Sequence, residues 1–223
     1  MQHFIETRFN ISYSWIPAEN RQNLNAEWLE YKLNLFLKYT APSVLGQDRG
    51  NFYWCIFFDK KTPIEIIDKI KSVDKRIKTF NSISEYVKKR KLFIKNNDYF
   101  SISRLDSDDI YNKSFLTNIN DFKTNKDILY DINFYCIDEK TKNICHKKNT
   151  NLCSHFISII TRNKEFNIYK NNHLKFFNNF CFYRDNSIMA LELIHDKNIK
   201  NLFNDKEQIN TNLNLSDFGI NNV

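Results

Sequence analysis

The stretch "NFYWCIFFDKKTPIEIIDKIKSV", residues 51–73, decides the fold class. Its first part is a continuous apolar run that ends at Asp59, and such a run is typical of a strand buried on both faces of a parallel sheet. Its second part predicts a helix that Thr62 caps and in which Pro63 takes the first position. The predicted apolar face of this helix carries Ile64, Ile67 and Ile70. A buried strand followed at once by an amphipathic helix predicts an α/β fold.

The segments before this stretch repeat the same alternation. "HFIETRFNI" (3–11) mixes β-branched and aromatic residues and is predicted to be the first strand. "AEWLEYKLNLFLKYTAPSVLGQ" (26–47) has apolar residues at helical spacing, and Pro42 is expected to end or kink that helix. Lys32 interrupts the apolar stripe, and we expect its stem to lie along the core edge with the charge in water. Strand, helix, strand and helix in succession predict a parallel sheet.

The later segments add antiparallel character. "DILYDINFYCIDEKTKNICHKK" (127–148) contains two strand-like runs around a polar turn and predicts a hairpin in the second half. "HFISIITR" (155–162) predicts a further strand, and the Asn-rich residues 201–223 predict a tail segment. We therefore expect one domain over residues 1–223, with a mixed and mainly parallel central sheet.

Composition limits the function classes. Hydrophobic residues make up 42% of the 223 residues and aromatic residues 15%, which excludes a disordered chain. The net charge of +7 points to an anionic partner such as a phosphate-bearing metabolite, nucleic acid or a membrane surface. Five cysteines without a CxxC pair support neither a disulfide framework nor a zinc site. Without a signal-peptide pattern or a long apolar run, we expect a cytoplasmic protein, with peripheral contact to the inner membrane face as an option.

An acidic cluster interrupts this basic chain in "SISRLDSDDIYNKSFL" (101–116), where Asp106, Asp108 and Asp109 lie within four consecutive positions. Neighbouring carboxylates repel one another unless a cation lies among them. On an extended backbone Asp106 and Asp108 share a face, and Mg²⁺ or Mn²⁺ sites use one or two carboxylates together with phosphate oxygens. The alternative is that Asp108 or Asp109 caps a helix that begins near Asn112.

The positions of two carboxylates agree with a ligand site. Asp59 and Asp106 each follow a strand-like run. In open α/β sheets, ligands bind beyond the carboxyl ends of the strands. Two separate strands are therefore predicted to deliver carboxylates to one edge of the sheet.

Six segments of the chain, in order, resemble a known family: "HFIETRFN" (3–10), "EWLEYKLNLFLKYTAPSVLGQ" (27–47), "NFYWCIFFDKKTP" (51–63), "SRLDSDD" (103–109), the looser "LCSHFISII…YKNNHLKF" (152–176) and "LELIHDKNI" (191–199). The combination of "TRFN" with "RLDSDD" is the most specific. The chain resembles a rhamnosyltransferase family within the GT-A-fold glycosyltransferases. The resemblance implies a nucleoside-diphosphate sugar as donor and a hydroxyl of a glycan or glycolipid as acceptor.

The resemblance also implies a metal site for Mn²⁺ or Mg²⁺. Asp106 and Asp108 match the metal motif, with Asp108 the stronger candidate for direct coordination. His195, in "LIHDKN", resembles the late histidine that completes the metal site in many GT-A enzymes, and imidazole is a reasonable third ligand for Mn²⁺. The alternative for His195 is an ordinary residue of the core or of the sheet edge.

Three more residues are implied in nucleotide binding. Arg8 is expected in the nucleotide pocket, where a guanidinium pairs with phosphate. Asp59 matches the aspartate that receives the base or ribose, and Arg104 is expected to balance the acidic cluster or reach the sugar. The alternatives are a surface arginine at Arg8, a helix cap at Asp59, and for Arg104 an ion pair with Asp106 or Asp109.

The catalytic base is predicted from the acceptor half. An inverting enzyme needs a carboxylate or a histidine within hydrogen-bond reach of the acceptor hydroxyl. The candidates are Glu165 and His173, followed by Asp131 and Asp138. Glu165 equally fits a solvated loop residue.

Two other functions remain open at this level. A nucleotidyltransferase would use the same sheet and acidic pair but release pyrophosphate. A non-catalytic module for nucleic acid or anionic glycan would rest on charge alone and would lose affinity steeply with salt. Acids at a strand end repel phosphate, so nucleic acid is not the expected partner.

Overall fold

In a computed structural model of the chain, the structure describes residues 1–11, 23–94, 98–145, 154–170, 180–197 and 213–220. Within these ranges, nine strands form one mixed sheet, with helices on both faces. The predicted α/β class with a mixed sheet is confirmed. His173, part of the predicted tail and part of the segment 152–176 lie outside the described residues.

The strands and helices have the following bounds. The strands are β1 (Gln2–Arg8), β2 (Phe52–Phe57), β3 (Ile77–Phe80), β4 (Phe100–Arg104), β5 (Ile110–Tyr111), β6 (Ile128–Asp138), β7 (Ile144–Cys145), β8 (Ile157–Thr161) and β9 (Cys181–Ile194). The helices are α1 (Ala26–Leu35), α2 (Ala41–Leu45), α3 (Ile64–Lys71), α4 (Ile83–Phe93) and α5 (Phe115–Asp121). A π-helical turn (Phe36–Thr40) joins α1 to α2, and a 3₁₀-helix (Leu215–Phe218) follows β9.

The first half of the sheet is parallel, in the order β3-β2-β1-β4. In register, Arg8 of β1 lies opposite Phe57 of β2, and Glu6 lies opposite Arg104 of β4. The carboxyl ends of these strands therefore form one edge, which we call the carboxyl edge. This is the edge at which α/β sheets bind ligands.

The second half of the sheet returns to the same edge. β8 runs antiparallel to β4, with Thr161 opposite Phe100 and Ser158 opposite Ser103. The start of β8 therefore lies beside the end of β4. β6 and β7 form the predicted hairpin, in which Cys136 lies opposite Cys145. β9 pairs in parallel with β6 and antiparallel with β5.

Pro42 does not end the long first helix, contrary to one of the two predicted outcomes. The π-helical turn precedes it, and the Ala41 N–H donates to the Phe36 carbonyl, five residues back. A π turn changes the hydrogen-bonding register, so the helix absorbs a residue that has no N–H to donate. The helical backbone then continues through Pro42 to Leu45.

The start of α3 differs from the prediction. Thr62 does not cap the helix: its hydroxyl donates to the Asp59 carbonyl (2.7 Å) and accepts from the Asn10 amide (2.8 Å). Pro63 is the N-cap position itself, not the first helical residue. The Thr62 hydroxyl thus links the loop after β2 to the loop after β1. Both loops lie at the carboxyl edge.

The buried face of α3 is also rotated from the predicted one. Ile66 and Ile70 are buried and Ile67 is partly buried, whereas Ile64 is 60% exposed. Ile64 is the first residue of the helix, and its side chain lies before the turn that packs on the sheet. The predicted face is therefore wrong at its first position and right in its later part.

A buried ion pair joins the sheet to helix α4. Arg90 of α4 donates to the Glu6 carboxylate at 2.9 Å, and both side chains are almost fully buried. The same guanidinium donates to the carbonyls of Lys164 and Phe166. Arg90 therefore anchors the loop after β8, which carries Tyr169 back to the carboxyl edge.

The residues at 213–220 pack on the core beside α2. Phe218 and Ile220 are buried against a cluster that includes Leu35 and Tyr39. Gly219 has φ +73°, and a Cβ there would lie 3.1 Å from the Ser43 nitrogen. Glycine is needed at this point because of both the left-handed backbone and the close approach.

Candidate functional site

Two arginines stand at the ends of adjacent strands. Arg8 ends β1 and Arg104 ends β4. The Tyr169 ring lies against both guanidinium groups, with its centroid 4.5 Å from the Arg8 carbon Cζ and 5.8 Å from that of Arg104. The Tyr169 hydroxyl donates to the Glu6 carbonyl at 2.8 Å. One anchored aromatic ring thus sets the positions of two cations at the carboxyl edge.

Asp106 lies directly beyond the end of β4 and faces these cations. Its carboxylate accepts from Arg104 Nη2 at 3.1 Å, and its side chain is 26% exposed. Burial alone would raise the pKa of Asp106, but the charges of Arg104, Arg8 and His155 hold it below its ordinary value. Asp106 is therefore ionised at neutral pH. The ion pair that was one alternative for Arg104 is present.

Asp108 is the meeting point of two further groups. Its Oδ2 lies 3.0 Å from His195 Nε2, at the end of β9, and 3.3 Å from Lys32 Nζ, on α1. Burial opposes ionisation, but Lys32 and His195 lower the pKa of Asp108. The structure therefore joins Asp108 and His195, two of the three predicted metal ligands, from elements 87 residues apart in sequence.

The helix-cap alternative for the acidic cluster is wrong. α5 begins at Phe115, and its N-cap is Ser114, which makes no side-chain cap hydrogen bond. Asp109 turns the other way, and its Oδ1 accepts from the backbone N–H of Leu193 on β9. Neither Asp108 nor Asp109 serves a helix, so the cluster needs another explanation.

Asp59 follows β2 at the same edge. Its Oδ1 accepts from the backbone N–H of Lys61 at 2.9 Å, and its Oδ2 lies 3.4 Å from the Asn23 amide. The Asp59 N–H in turn donates to the Asn10 side chain at 3.0 Å. These bonds hold a half-buried carboxylate in the loop that follows β2. They do not make it a cap of α3.

Comparison with known proteins identifies the family of the chain. The family model described as "Putative rhamnosyl transferase" matches residues 5–203. The chain belongs to this family. The match spans every residue of the edge described above, from Arg8 to His195. No curated protein matches the chain.

The structure places Glu165, one of the two leading base candidates, away from the acidic cluster. Glu165 follows the end of β8 that lies beside the start of β4, and its side chain is 65% exposed and paired with Lys91. The carboxyl edge is at the opposite end of those strands. Glu165 therefore fits the solvated loop residue that was its alternative, and His173 lies outside the described residues.

The two other base candidates, Asp131 and Asp138, accept hydrogen bonds from other parts of the protein. Asp131 is buried and accepts from Arg184 (2.7 Å) and from the Ser154 N–H. Asp138 accepts from the backbone of Lys140 and Thr141 in the turn between β6 and β7. Both carboxylates therefore have structural partners within the protein.

His155, Asp109 and Glu192 form a second group of titratable side chains beside Asp106 and Asp108. The sequence analysis did not predict the contribution of His155 and Glu192. His155, two residues before β8, has its Nε2 3.5 Å from Asp109 Oδ2 and 3.9 Å from Glu192 Oε1. Cys136 Sγ donates to the other oxygen of Glu192 at 3.3 Å. Burial raises the pKa of Asp109 to about 7 despite the pull of His155. The sequence signals were a histidine at the start of a strand and a glutamate inside an apolar one.

Two observations bear on metal and membrane. Among the residues that the structure describes, no group of three or more His, Cys, Asp or Glu side chains is placed to hold a metal ion. A metal at Asp108 and His195 would therefore need further ligands from a substrate.

Within the same ranges, every helix is too short or too polar to cross a bilayer.

Proposed function

We propose that this chain is a metal-dependent glycosyltransferase. It moves a sugar, rhamnose by its family, from a nucleoside-diphosphate donor to a hydroxyl of a glycan or glycolipid. One observation carries the proposal: in a member of this family, Asp108 and His195 meet at 3.0 Å at the carboxyl edge. Asp106, two residues before Asp108, pairs with Arg104 and feels the charge of Arg8. Carboxylate, imidazole and guanidinium together are the groups that a metal–diphosphate complex requires.

The two arginines account for the diphosphate. Guanidinium groups bind phosphate oxygens through paired N–H donors, and Arg8 and Arg104 present two such groups on one ring. Asp59 stands at the end of the neighbouring strand β2, which suits a group that accepts from the base or ribose. The donor would then lie across the ends of β2, β1 and β4, as ligands do in open α/β sheets.

The side chains fit a divalent ion as a two-ligand site. Asp108 and His195 supply one carboxylate and one imidazole, while Asp106 is engaged by Arg104. Diphosphate oxygens and water would complete the coordination, as is common for Mg²⁺ and Mn²⁺. The ion supplies charge stabilisation to the departing diphosphate when bound.

Lys32 adds a cation to the same oxygen that His195 contacts. Its ammonium lies 3.3 Å from Asp108 Oδ2 and is 15% exposed, not directed into open water as predicted. Without a bound ion, this lysine compensates the charge of Asp108. When a diphosphate is bound, the Lys32 ammonium would face its oxygens together with the two arginines.

The experiment is release of nucleoside diphosphate from rhamnose linked to UDP, GDP, dTDP or CDP, in the presence of Mn²⁺. Asp108→Ala should reduce the rate at least about 100-fold, since it removes charge stabilisation at the leaving group. Asp98→Ala is the matched control, because Asp98 is exposed just before β4 and thus at the opposite edge. Full activity of Asp108→Ala, or pyrophosphate release from nucleoside triphosphates instead, would overturn the proposal.

A further inference from the structure

We infer that His155 is the catalytic base that takes the proton of the acceptor hydroxyl. The inference rests on the proposed function and names a residue for a step that the donor site leaves open. Its basis is a place in the fold: antiparallel pairing of β8 with β4 brings His155 to the carboxyl edge, beside the cluster that is to hold the donor.

The ring of His155 is held on several sides. Its Nε2 faces the carboxylates of Asp109 and Glu192, at 3.5 and 3.9 Å. Phe156 lies against the ring with centroids 4.1 Å apart, and Phe134 meets it edge-on at 5.0 Å. A base whose second nitrogen is fixed by a carboxylate has a defined tautomer and a defined direction.

His155 is more exposed than the two carboxylates that its Nε2 faces. The side chain of His155 is 23% exposed, whereas those of Asp109 and Glu192 are 6% and 5% exposed. An Nε2–H directed at buried carboxylates leaves Nδ1 as the nitrogen with a lone pair. The inference requires that the acceptor hydroxyl approach Nδ1, while the two carboxylates stay covered.

The charges around His155 suit a proton acceptor. Burial would lower the pKa of His155, but the hydrogen bond and charge of Asp109, together with Glu192 and Asp106, raise it. An imidazolium formed during the reaction is therefore stabilised where it forms. Asp109 and Glu192 act as positioning residues, and the Cys136 thiol supports Glu192 from behind.

The step balances as follows. The acceptor oxygen forms a bond to the anomeric carbon, and its proton moves to Nδ1 of His155. The bond between the anomeric carbon and the diphosphate oxygen breaks, and the diphosphate leaves with the electron pair. When no glycan is present, water takes the acceptor's place and the sugar is released, so slow donor hydrolysis reports on the same base.

The test compares His155→Gln with the wild type in Mn²⁺ and the rhamnose-linked diphosphate that the wild type hydrolyses fastest. Loss of a general base should lower the hydrolysis rate about 100-fold or more. Thermal stabilisation by Mn²⁺ with the free diphosphate should be unchanged, because His155 is not in the donor's binding set. Free imidazole should partly restore the rate of His155→Ala, which a merely structural role does not predict.

The pH profile separates a base from a packing residue. In the wild type the rate should fall as pH drops and His155 becomes protonated, and this limb should be absent in His155→Gln. His155→Asn serves as the second variant if the glutamine variant fails to fold. Long-range ¹H–¹⁵N spectra of the unaltered chain should show the neutral ring protonated at Nε2, and an Nδ1–H tautomer would overturn the assignment.

The outcomes are distinguishable from failure of the proposed function. A wild type that neither binds a diphosphate with Mn²⁺ nor releases one would overturn the proposed function and this inference with it. A wild type that does both, with a His155→Gln variant whose rate lies within about twofold of it, would overturn the inference alone.

Discussion

Glu6 and Arg8 lie two residues apart on one face of β1, yet their surroundings differ completely. Glu6 is 1% exposed and bound to the equally buried Arg90, inside a layer of aromatic side chains. Arg8 stands at the strand's end against Tyr169, facing Asp106. In the first pair the two charges compensate one another in the interior. In the second group, Arg8, Arg104 and Asp106 lie at the edge of the sheet, and the Asp106 side chain is 26% exposed. Within two residues, the side chains of β1 therefore change from a structural role in the core to a place in the candidate site.

The largest expected effect comes from breaking the buried pair. Glu6→Gln leaves the Arg90 guanidinium buried without its counter-ion, which should lower the free energy of unfolding by about 3–5 kcal/mol. Urea unfolding at pH 7 measures it. Glu85→Gln on the same helix is the control, since its pair with Lys89 is exposed and should contribute less than about 1 kcal/mol. Similar losses in both variants would remove the distinction between the buried pair and surface charge.

The buried histidine sharpens the comparison through pH. Burial lowers the pKa of His3 to about 3, and the hydroxyls of Ser101 and Ser103 lie at its two ring nitrogens. Between about pH 6.5 and 3, the unfolded chain takes up a proton that the folded chain refuses. Stability should therefore fall with decreasing pH by about 1.4 kcal/mol per pH unit from this residue.

His3→Gln should remove that contribution. Its unfolding free energy, measured in urea from pH 7 to 4, should fall with acid less steeply than the wild type by about this amount per unit. The amide can still hydrogen-bond the two serines, so the variant should remain folded. Parallel curves for the two proteins would mean that His3 is not held neutral in the core.

The smallest effect is expected at the ring that carries the two arginines. Tyr169→Leu removes the surface on which Arg8 and Arg104 lie, which should weaken diphosphate binding about 2- to 5-fold. Tyr169→Phe keeps the ring and loses only the hydrogen bond to the Glu6 carbonyl. Calorimetric titration should place it close to the wild type. If the phenylalanine variant binds as weakly as the leucine variant, the hydroxyl and not the ring positions the arginines.

Much of the carboxyl edge was predictable because it follows from order along the chain. The apolar run before Asp59 and the alternation before Arg104 indicate strands, and parallel strands bring their ends together. The acidic cluster was visible for the same reason. Its link to His195 came from resemblance alone, since no local pattern connects residues 87 positions apart.

What sequence reasoning missed depends on pairings between distant elements. Lys32 breaks an apolar stripe, but only the packing of α1 on the sheet shows that its ammonium meets Asp108. His155 reaches the edge because β8 runs antiparallel to β4, a direction that the sequence does not record. Tyr169 lies in a loop whose course is set by the buried Arg90. Isolated residues of this kind carry no periodic signal.

The most direct test of the central claim is thermal stability with UDP, GDP, dTDP and CDP, each with and without Mn²⁺. A ligand that binds only the folded chain stabilises it by about 2.7 kcal/mol at 100 times its dissociation constant, or roughly 5–10 °C for a chain of this size. We expect such a rise only when one diphosphate and Mn²⁺ are both present. No shift with any pair, or the same shift in the presence of a chelator, would contradict a metal–diphosphate site at the carboxyl edge.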